Sequence, residues 1–442
     1  MPSGELVPDT VAAVATPAGR GGIGIVRVSG PKVPAIAKTV LGRLPEPRKA
    51  IHCSFRDAHG ERVDEGIALY FQAPHSYTGD DVLELHGHGG PVVTHSVLEA
   101  VLDAGARLAG PGEFTRRAFL NGKLDLAQAE GVADLIDSVS REAARSAMRS
   151  LNGEFSSVVE GLVAGLTELR ALTEAMLDFP DEEVDSLHRA DAARRLELLR
   201  AALAEVISKS RQGSLLRAGI HAVLVGRPNV GKSSLLNRLA GAERAIVTAV
   251  PGTTRDALRE AIQIEGVPII VVDTAGLRTS QDEIERLGMA RTRHEMERAD
   301  VLLVILEAGK DEAPQGPLPD AGTRIDVVNK IDLIPGSVAG RRGNEVHVSA
   351  KTGAGLDALR MALLEAAGWR SGGETVFLAR ERHLRALDAA RINLESAASQ
   401  LAQWELFAEE LRLAQEALGQ ITGRISADDL LGEIFSRFCI GK

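Results

Sequence analysis

The chain has 442 residues, a formal net charge of −10 and two cysteines, Cys53 and Cys439. This length predicts two or three domains, and so few cysteines exclude a disulfide framework. The sequence has no apolar run near the roughly 20 residues that a membrane-spanning helix needs, and its N-terminus lacks an export pattern, so we expect a cytoplasmic protein.

Residues 1–120 are rich in glycine and predict an α+β domain. Apolar residues alternate or cluster at 23–28 and 82–85, as expected of strands, and turn-forming residues follow at 76–80 and 88–90. His86 and His88 would share one face of a strand, which suggests a metal site. Without a third ligand nearby, a glycine-rich turn is the preferred interpretation.

Segments 121–215 and 375–442 have the periodicity of helices. Apolar residues recur at helical spacing at Val132, Leu135, Ile136 and Val139 and again at Leu384, Leu387, Ala390 and Leu394. These segments carry nearly all the acidic excess, which opposes binding along a polyanion unless a basic patch or a partner supplies the attraction. Because they flank residues 216–374, we predict that they fold together as one helical bundle around an inserted domain.

Residues 226–233, Gly-Arg-Pro-Asn-Val-Gly-Lys-Ser, match the phosphate-binding loop G-x-x-x-x-G-K-[ST]. An apolar strand at 222–225 precedes the loop and a helix at 234–240 follows it, so amide groups and a positive helix end would face the phosphates. Lysine in this motif reaches the β- and γ-phosphates, and the serine ligates Mg²⁺. The predicted GTP-binding residues here are Asn229, Val230, Gly231, Lys232, Ser233 and Ser234.

Further motifs follow in the order found in GTP-binding domains. An apolar strand leads into 273–276 (Asp-Thr-Ala-Gly), where the carboxylate can hold the Mg²⁺ water shell and the glycine N–H can sense a γ-phosphate. The next strand leads into 329–332 (Asn-Lys-Ile-Asp), whose aspartate can accept two N–H bonds from guanine but not from adenine. Residues 349–351 resemble the loop behind the guanine O6. The predicted contacts are Asp273, Thr274, Ala275, Gly276, Asn329, Lys330, Ile331, Asp332, Ser349, Ala350 and Lys351. Together these motifs predict a Ras-like P-loop GTPase domain at 216–374.

The hydrolytic machinery differs from that of Ras-like proteins, because Leu277 stands where a glutamine would orient the attacking water. The loop 248–256 offers a replacement, since its carbonyl groups and Asn229 could hold a K⁺ ion beside the phosphates. An ordinary surface loop is the alternative. Arg255 and Asp256 are candidate catalytic residues. The predicted contacts are Thr248, Ala249, Val250, Pro251, Gly252, Thr253 and Thr254, with Thr254 as a second Mg²⁺ ligand and Thr248, Val250 and Thr253 as K⁺ ligands.

Motifs outside the GTPase domain are more specific. They are 15–17 and 19–22 near the start, 111–115, 123–130 (Lys-Leu-Asp-Leu-Ala-Gln-Ala-Glu), 178–183 and 438–442 (Phe-Cys-Ile-Gly-Lys). With these motifs the chain resembles, from end to end, the MnmE (TrmE) family of tRNA-modification GTPases. The resemblance implies three parts: an N-terminal folate-binding and dimerisation domain at 1–120, a helical domain at 121–215 and 375–442, and a P-loop GTPase domain at 216–374.

The resemblance also implies a ligand for the N-terminal domain, a tetrahydrofolate derivative bound by Arg27, Glu84, Lys123 and Lys442. A carboxylate such as Glu84 can pair with the amino-pyrimidine edge of a pterin, and cations suit the folate glutamate tail. Cys439 would lie nearby and is a possible nucleophile, with a packed small side chain as the alternative.

The family pattern places the water-orienting or general-base carboxylate at Glu285. Its neighbours Asp282 and Glu283 are rivals, and all three could simply be charges at a helix N-terminus.

For the whole protein, the resemblance implies a K⁺-activated, Mg²⁺-dependent GTPase that takes part in carboxymethylaminomethyl modification of the wobble uridine (U34) of certain tRNAs. It would act as a homodimer with an FAD-dependent partner protein, in a heterotetramer, with folate supplying a one-carbon unit. One alternative is a ribosome-assembly GTPase that acts as an RNA-binding switch. Another is a folate-dependent one-carbon enzyme with a regulatory GTPase.

Overall fold

The structure is a computed structural model, and it describes residues 9–178, 185–241, 259–273, 294–310, 318, 322–370, 377–424, 428–436 and 438–441. The chain forms two compact units. Unit 1 comprises Met1–Ala133 and Gly419–Lys442, and unit 2 comprises Asp134–Leu418. The predicted boundaries at 120, 215 and 374 differ from this division and stay a prediction.

Unit 1 contains a mixed sheet, with six strands among the described residues in the order β3-β4-β5-β2-β1-β6. The strands are β1 (Val11–Val14), β2 (Gly21–Ser29), β3 (Ile51–Arg56), β4 (Arg62–Phe71), β5 (Val82–Gly89) and β6 (Arg107–Leu108). Residues alternate between the two faces of a strand, so Val26 and Val28 of β2 enter the core while Arg27 points to the opposite face. Helices α1 (Val33–Leu41) and α2 (Pro91–Asp103) cover the core face.

The C-terminal segment of the chain packs within unit 1. Helix α12 (Asp428–Ser436) and Phe438 share a hydrophobic cluster with α4 (Leu126–Ile136) and with Phe119 of α3 (Glu113–Leu120). Gly112 has φ +61°, and a β carbon there would lie 2.9 Å from Phe438 Cβ, so a glycine allows this approach. The backbone then pairs Ile440 with Pro111.

Unit 2 contains a second sheet, with seven strands among the described residues in the order β12-β13-β11-β10-β7-β9-β8. They are β7 (Ile220–Val225), β8 (Arg259–Ile264), β9 (Val267–Asp273), β10 (Val301–Glu307), β11 (Thr323–Asn329), β12 (Gly340–Arg342) and β13 (Glu345–His347). The central strands are parallel, and β8 and β12 pair antiparallel at the edges. Leu303 of β10 faces one core and Leu302 the other, as expected of a sheet covered on both sides.

The remaining helices of unit 2 flank this sheet in the chain. They are α5 (Arg141–Leu151), α6 (Glu154–Asp178), α7 (Asp185–Ala218), α8 (Lys232–Ala240), α9 (Leu356–Ala366), α10 (Glu381–Ser399) and α11 (Trp404–Thr422). Buried residues of α6 recur at helical spacing at Phe155, Val159, Leu162, Leu166 and Leu169. Helix α7, which leads into the sheet, packs against α6 and against α10, which follows the sheet.

Two sequence-based expectations are wrong. The predicted apolar face at 132–139 packs against a core cluster at Leu135 but is exposed at Ile136, to 54%, and at Val139, which lies beyond the end of α4, to 39%. The helix instead buries Leu126 and Ala129 against α12. The predicted turn around His88 is part of β5, which stays paired with β2 as far as Gly89.

No helix in the described part of the chain combines the length and apolar character that crossing a membrane requires.

Candidate nucleotide site

The phosphate-binding loop lies between β7 and α8, at the carboxyl edge of the parallel strands. Asn229 and Gly231 both have positive φ, 65° and 95°, and Gly231 lies so close to the Asn329 side chain that a β carbon would collide with its amide nitrogen. Lys232 starts α8 and is 6% exposed. Its Nζ donates to the carbonyl oxygens of Gly226 at 2.9 Å and Arg227 at 3.0 Å. The loop therefore curls over its own lysine, with Ser233 and Ser234 exposed at the helix start.

Asn329 joins the phosphate loop to the predicted guanine loop. Its side chain is 1% exposed, its Nδ2 donates to the Val230 carbonyl at 2.8 Å, and its Oδ1 accepts the Ala350 N–H at 3.0 Å. A buried amide that is hydrogen-bonded on both sides is held in one orientation. The structure thus brings Val230, Asn329 and Ala350 together, as the motif order predicts.

Asp332 is exposed and lies in a short 3₁₀ turn, Ile331–Leu333. The Ser349 hydroxyl donates to its Oδ1 at 2.6 Å, and the same hydroxyl accepts the Thr352 N–H at 3.1 Å. An oriented, exposed carboxylate can accept the two N–H groups of a guanine edge.

Lys330 has φ +66° and an ion pair that the sequence reasoning missed. Its Nζ lies 2.9 Å from Glu307 Oε2, while Lys310 Nζ lies 2.9 Å from the other carboxylate oxygen. Hydrogen bonds from Lys310 and then Lys330 lower the pKa of Glu307. The sequence offered one sign of this ion pair: Glu307 ends an apolar strand, as Asp273 and Asn329 do, so all three residues lie at the same edge of the sheet.

Several predicted residues lie outside the described residues. They are Thr248, Ala249, Val250, Pro251, Gly252, Thr253, Thr254, Arg255, Asp256, Thr274, Ala275, Gly276 and Glu285. Asp273 is described as backbone only, and it pairs with Leu224 just before the phosphate loop. Ser233 lies at the start of α8, which follows β7, and Asp273 ends the neighbouring strand β9, so two residue types with oxygen donors lie at the same edge of the sheet. Such hard donors suit Mg²⁺, which GTPases generally require.

A second polar cluster lies in unit 1, around Arg27. Its Nε and Nη2 lie 2.9 and 2.8 Å from Glu84 Oε1, and His86 Nε2 lies 3.2 Å from Glu84 Oε2. The guanidinium also lies 5.7 Å from the ring centroids of Tyr77 and Phe114. Burial raises the pKa of the Tyr77 hydroxyl, which bonds to Thr115 at 2.9 Å. The resemblance implies Arg27 and Glu84 as ligand-binding residues, but neither their ion pair nor the two aromatic rings was predicted.

The other predicted folate residues are less closely joined to this cluster. Lys123 is exposed, two residues after Asn121, whose amide donates to the Thr78 carbonyl at 2.7 Å. Cys439 is exposed, and its carbonyl accepts the Gly112 N–H at 3.3 Å. Lys442 lies outside the described residues.

A cavity of about 720 Å³ opens elsewhere in unit 1. Its lining includes Thr16, Pro17, Arg20, Ile23, His95 and Ile440. It therefore joins the N-terminal and C-terminal motifs of the sequence, although Arg27, Glu84 and Lys123 are not among its lining residues.

Comparison with known proteins agrees with these motifs. The MnmE helical domain family matches residues 126–439, and the GTP-binding protein TrmE N-terminus family matches residues 10–123. The tRNA modification GTPase MnmE of Thiobacillus denitrificans is 60% identical over 440 residues, which are 98% of this chain and 98% of that protein. The protein of the same name from Azoarcus is 58% identical over 444 residues, again covering 98% of each chain, and that from Aromatoleum aromaticum is 56% identical, covering 99% and 98%. The chain therefore belongs to the MnmE family of tRNA modification GTPases.

Proposed function

We propose that this GTPase is activated by K⁺ and takes part in carboxymethylaminomethyl modification of the wobble uridine, U34, of certain tRNAs. The main structural support for GTP binding is the nucleotide pocket, in which Asn329 hydrogen-bonds to both the phosphate loop and the guanine loop, and Ser349 orients Asp332. The name shared by the curated relatives favours tRNA modification over the alternative of a ribosome-assembly GTPase.

The residues of the pocket divide the work of binding. Amides at the start of α8 and the Lys232 ammonium would hold the phosphates, after this ammonium exchanges its two carbonyl partners for phosphate oxygens. Asp332 would read the guanine edge. Mg²⁺, held by Ser233 and Thr254 and through water by Asp273, would neutralise phosphate charge.

K⁺ activation is proposed because Leu277 cannot orient water as a glutamine would. Asn229 is exposed on the phosphate loop with φ +65°, so its side-chain oxygen is available to a cation beside the phosphates. Thr248, Val250 and Thr253 would complete the site, and the bound cation would supply the positive charge that an arginine finger supplies elsewhere. Arg255, Asp256 and Glu285 remain the proposed catalytic residues, with Glu285 orienting the water.

For unit 1 we propose a tetrahydrofolate derivative as the ligand. The Glu84 carboxylate, between Arg27 and His86, has the hydrogen-bonding capacity to take the amino-pyrimidine edge of a pterin. The rings of Tyr77 and Phe114 supply flat apolar surface beside it. Lys123 and Lys442 would meet the glutamate tail, and Cys439 would lie nearby.

We further propose that the protein acts in the cytoplasm as a homodimer, together with an FAD-dependent partner protein and tRNA. The net charge of −10 opposes direct binding of this chain to the phosphate backbone of tRNA, so we propose that the partner protein supplies part of the attraction for tRNA.

GTP turnover in buffers that differ only in the monovalent cation tests the proposal. We expect turnover to rise at least about tenfold in K⁺ over Na⁺, and Asn229→Ala to remove the difference without abolishing GDP binding. Asn237→Ala, an exposed position on α8 outside the predicted GTP-binding residues, provides a comparison variant. Equal rates in K⁺ and Na⁺ for the unaltered chain would refute the cation part.

A further inference from the structure

Within unit 2 the polypeptide crosses twice between the long helices and the sheet. The first crossing runs from the end of α7 at Ala218, through Gly219, into β7, the strand that carries the phosphate-binding loop. The second lies between α9 and α10, and the structure describes its two ends, 367–370 and 377–380. Any motion of the nucleotide-binding sheet relative to these helices must involve both crossings.

The carboxylate of Asp134 contacts both crossings. Its Oδ1 accepts hydrogen bonds from Arg217 Nε at 2.9 Å and from Arg380 Nη2 at 2.8 Å, and its Oδ2 accepts one from Arg380 Nε at 3.4 Å. Arg217 lies in the last turn of α7, and Arg380 is the N-cap residue of α10. The side chain of Asp134 is 7% exposed and that of Arg380 14%, so this ion pair is shielded from water, whereas the side chain of Arg217 is 38% exposed.

Direct contacts also join the two crossings. The Gln212 amide donates to the Gly368 carbonyl at 2.7 Å and accepts the Arg370 N–H at 2.8 Å. At the next position a β carbon on Gly213 would collide with the Phe377 carbonyl, so α7 touches the returning chain there. The end of α7 therefore packs against the second crossing at Gln212 and Gly213.

We propose that Asp134 is a positioning residue that latches the two crossings together, so that a change at the phosphate-binding loop reaches α7 and α10 as one motion. One carboxylate shared by two arginines ties the crossings to each other. Removing it leaves the nucleotide pocket and the Gln212 contacts intact, but it separates the end of α7 from the start of α10 at Arg217 and Arg380, so that motion of one no longer carries the other with it. This inference requires only that the chain binds guanine nucleotides, and it is independent of K⁺, folate and tRNA.

The chain offers a matched control on the same two helices. Arg211 of α7 pairs with Asp388 of α10 at 3.3 Å, but the arginine side chain is 60% exposed and the pair touches neither crossing. An exposed pair of this kind contributes little to stability. Arg211→Gln thus removes one ion pair between α7 and α10 without touching the latch.

The test measures backbone amide exchange in the full chain, bound to GDP and to a non-hydrolysable GTP analogue, for the wild type, Asp134→Asn and Arg211→Gln. In the wild type we expect exchange in α10 to differ between the two nucleotides. In Asp134→Asn, amides at 214–219 and 378–384 should exchange at least about tenfold faster and the nucleotide difference in α10 should vanish, while the Kd for GDP stays within about twofold. Arg211→Gln should behave as wild type, and Asp134→Glu, which keeps a carboxylate, should restore part of the protection.

Unchanged exchange at these amides in Asp134→Asn would overturn the proposal, as would a wild type without a nucleotide difference in α10. A parallel loss of GDP affinity and protection throughout unit 2 would show a purely structural role, which also overturns it. Should Asp134→Asn fail to fold, Arg217→Gln gives the same readout from the more exposed partner, and wild-type exchange in that variant would count against the latch.

Discussion

Substituting Asp332 by asparagine probes the guanine end of the pocket. The carboxylate is exposed and, among the described residues, is held through the Ser349 hydroxyl at 2.6 Å, so the substitution should change folding stability by less than about 0.5 kcal/mol. Its effect on binding should be far larger. A carboxylate accepts both N–H groups of guanine, whereas an amide presents an NH₂ group against one of them, donor facing donor.

The size of the effect follows from these two bonds. A hydrogen bond to a charged group contributes about 1.5–3 kcal/mol, so losing one and opposing the other should cost about 3–4 kcal/mol. That corresponds to a GDP affinity lower by about two to three orders of magnitude. Xanthine carries a carbonyl where guanine carries its amino group, so Asp332→Asn should bind xanthosine diphosphate more tightly than the wild type does.

Competition against a fluorescent nucleotide measures all of these affinities on one protein sample. Ser349→Ala is the matched control, because it removes the orienting hydroxyl but keeps the carboxylate. It should weaken GDP binding by about fivefold, the equivalent of about 1 kcal/mol, and give no gain for the xanthine nucleotide. If Asp332→Asn kept GDP affinity within threefold, or gained nothing for xanthosine diphosphate, the assignment of Asp332 to the base would be wrong.

Three further predictions concern other parts of the molecule. Asn329→Ala removes a buried amide that is hydrogen-bonded on both sides, so it should lower the free energy of unfolding by about 2 kcal/mol, as measured by denaturant titration. It should also weaken the binding of guanine and xanthine nucleotides by similar factors in the competition assay. A loss of affinity for guanine nucleotides alone would contradict this prediction. Burial opposes ionisation of Glu113, but hydrogen bonds led by that from Arg107 prevail and lower its pKa from 4.5 to about 2. The ionised carboxylate should stabilise the fold by about 2 kcal/mol after discounting for the half-exposed arginine, fully above pH 4.5 and progressively less as the pH falls towards 2. The free energy of unfolding of Glu113→Gln should therefore be about 2 kcal/mol below that of the wild type at pH 7, and this difference should shrink at pH 2. An equal difference at both pH values would refute the pairing. Glu84→Gln should weaken binding of a tetrahydrofolate derivative at least about tenfold in calorimetry, whereas Glu99→Gln, on the exposed face of α2, should not; equal affinities would remove Glu84 from that site.

Much of the nucleotide pocket could be predicted because its parts depend on short-range rules. A phosphate loop needs glycine at positive φ and a helix start, and Gly231 and Lys232 supply both. The strands that carry Asp273 and Asn329 are apolar runs that end in polar residues at one sheet edge. Each of these patterns involves residues that are consecutive in the chain, so it can be recognised without knowledge of the fold.

The remaining features depend on contacts between distant residues. Glu307 is an ordinary acidic residue in sequence, and only the order of strands places it beside Lys330. Asp134 looks like a solvated charge on a predicted helix, yet it is nearly buried between Arg217 and Arg380, 246 positions away in the latter case. The helix periodicity of α4 misled for the same reason, since α12 decides which of its faces is buried.

Mass analysis of anticodon nucleosides from cells that lack this protein tests the central claim most directly. The account predicts that U34 of the affected tRNAs loses its carboxymethylaminomethyl-type group, and that the wild-type chain restores it while Asp332→Asn does not. Fully modified U34 in the absence of the protein would contradict the account.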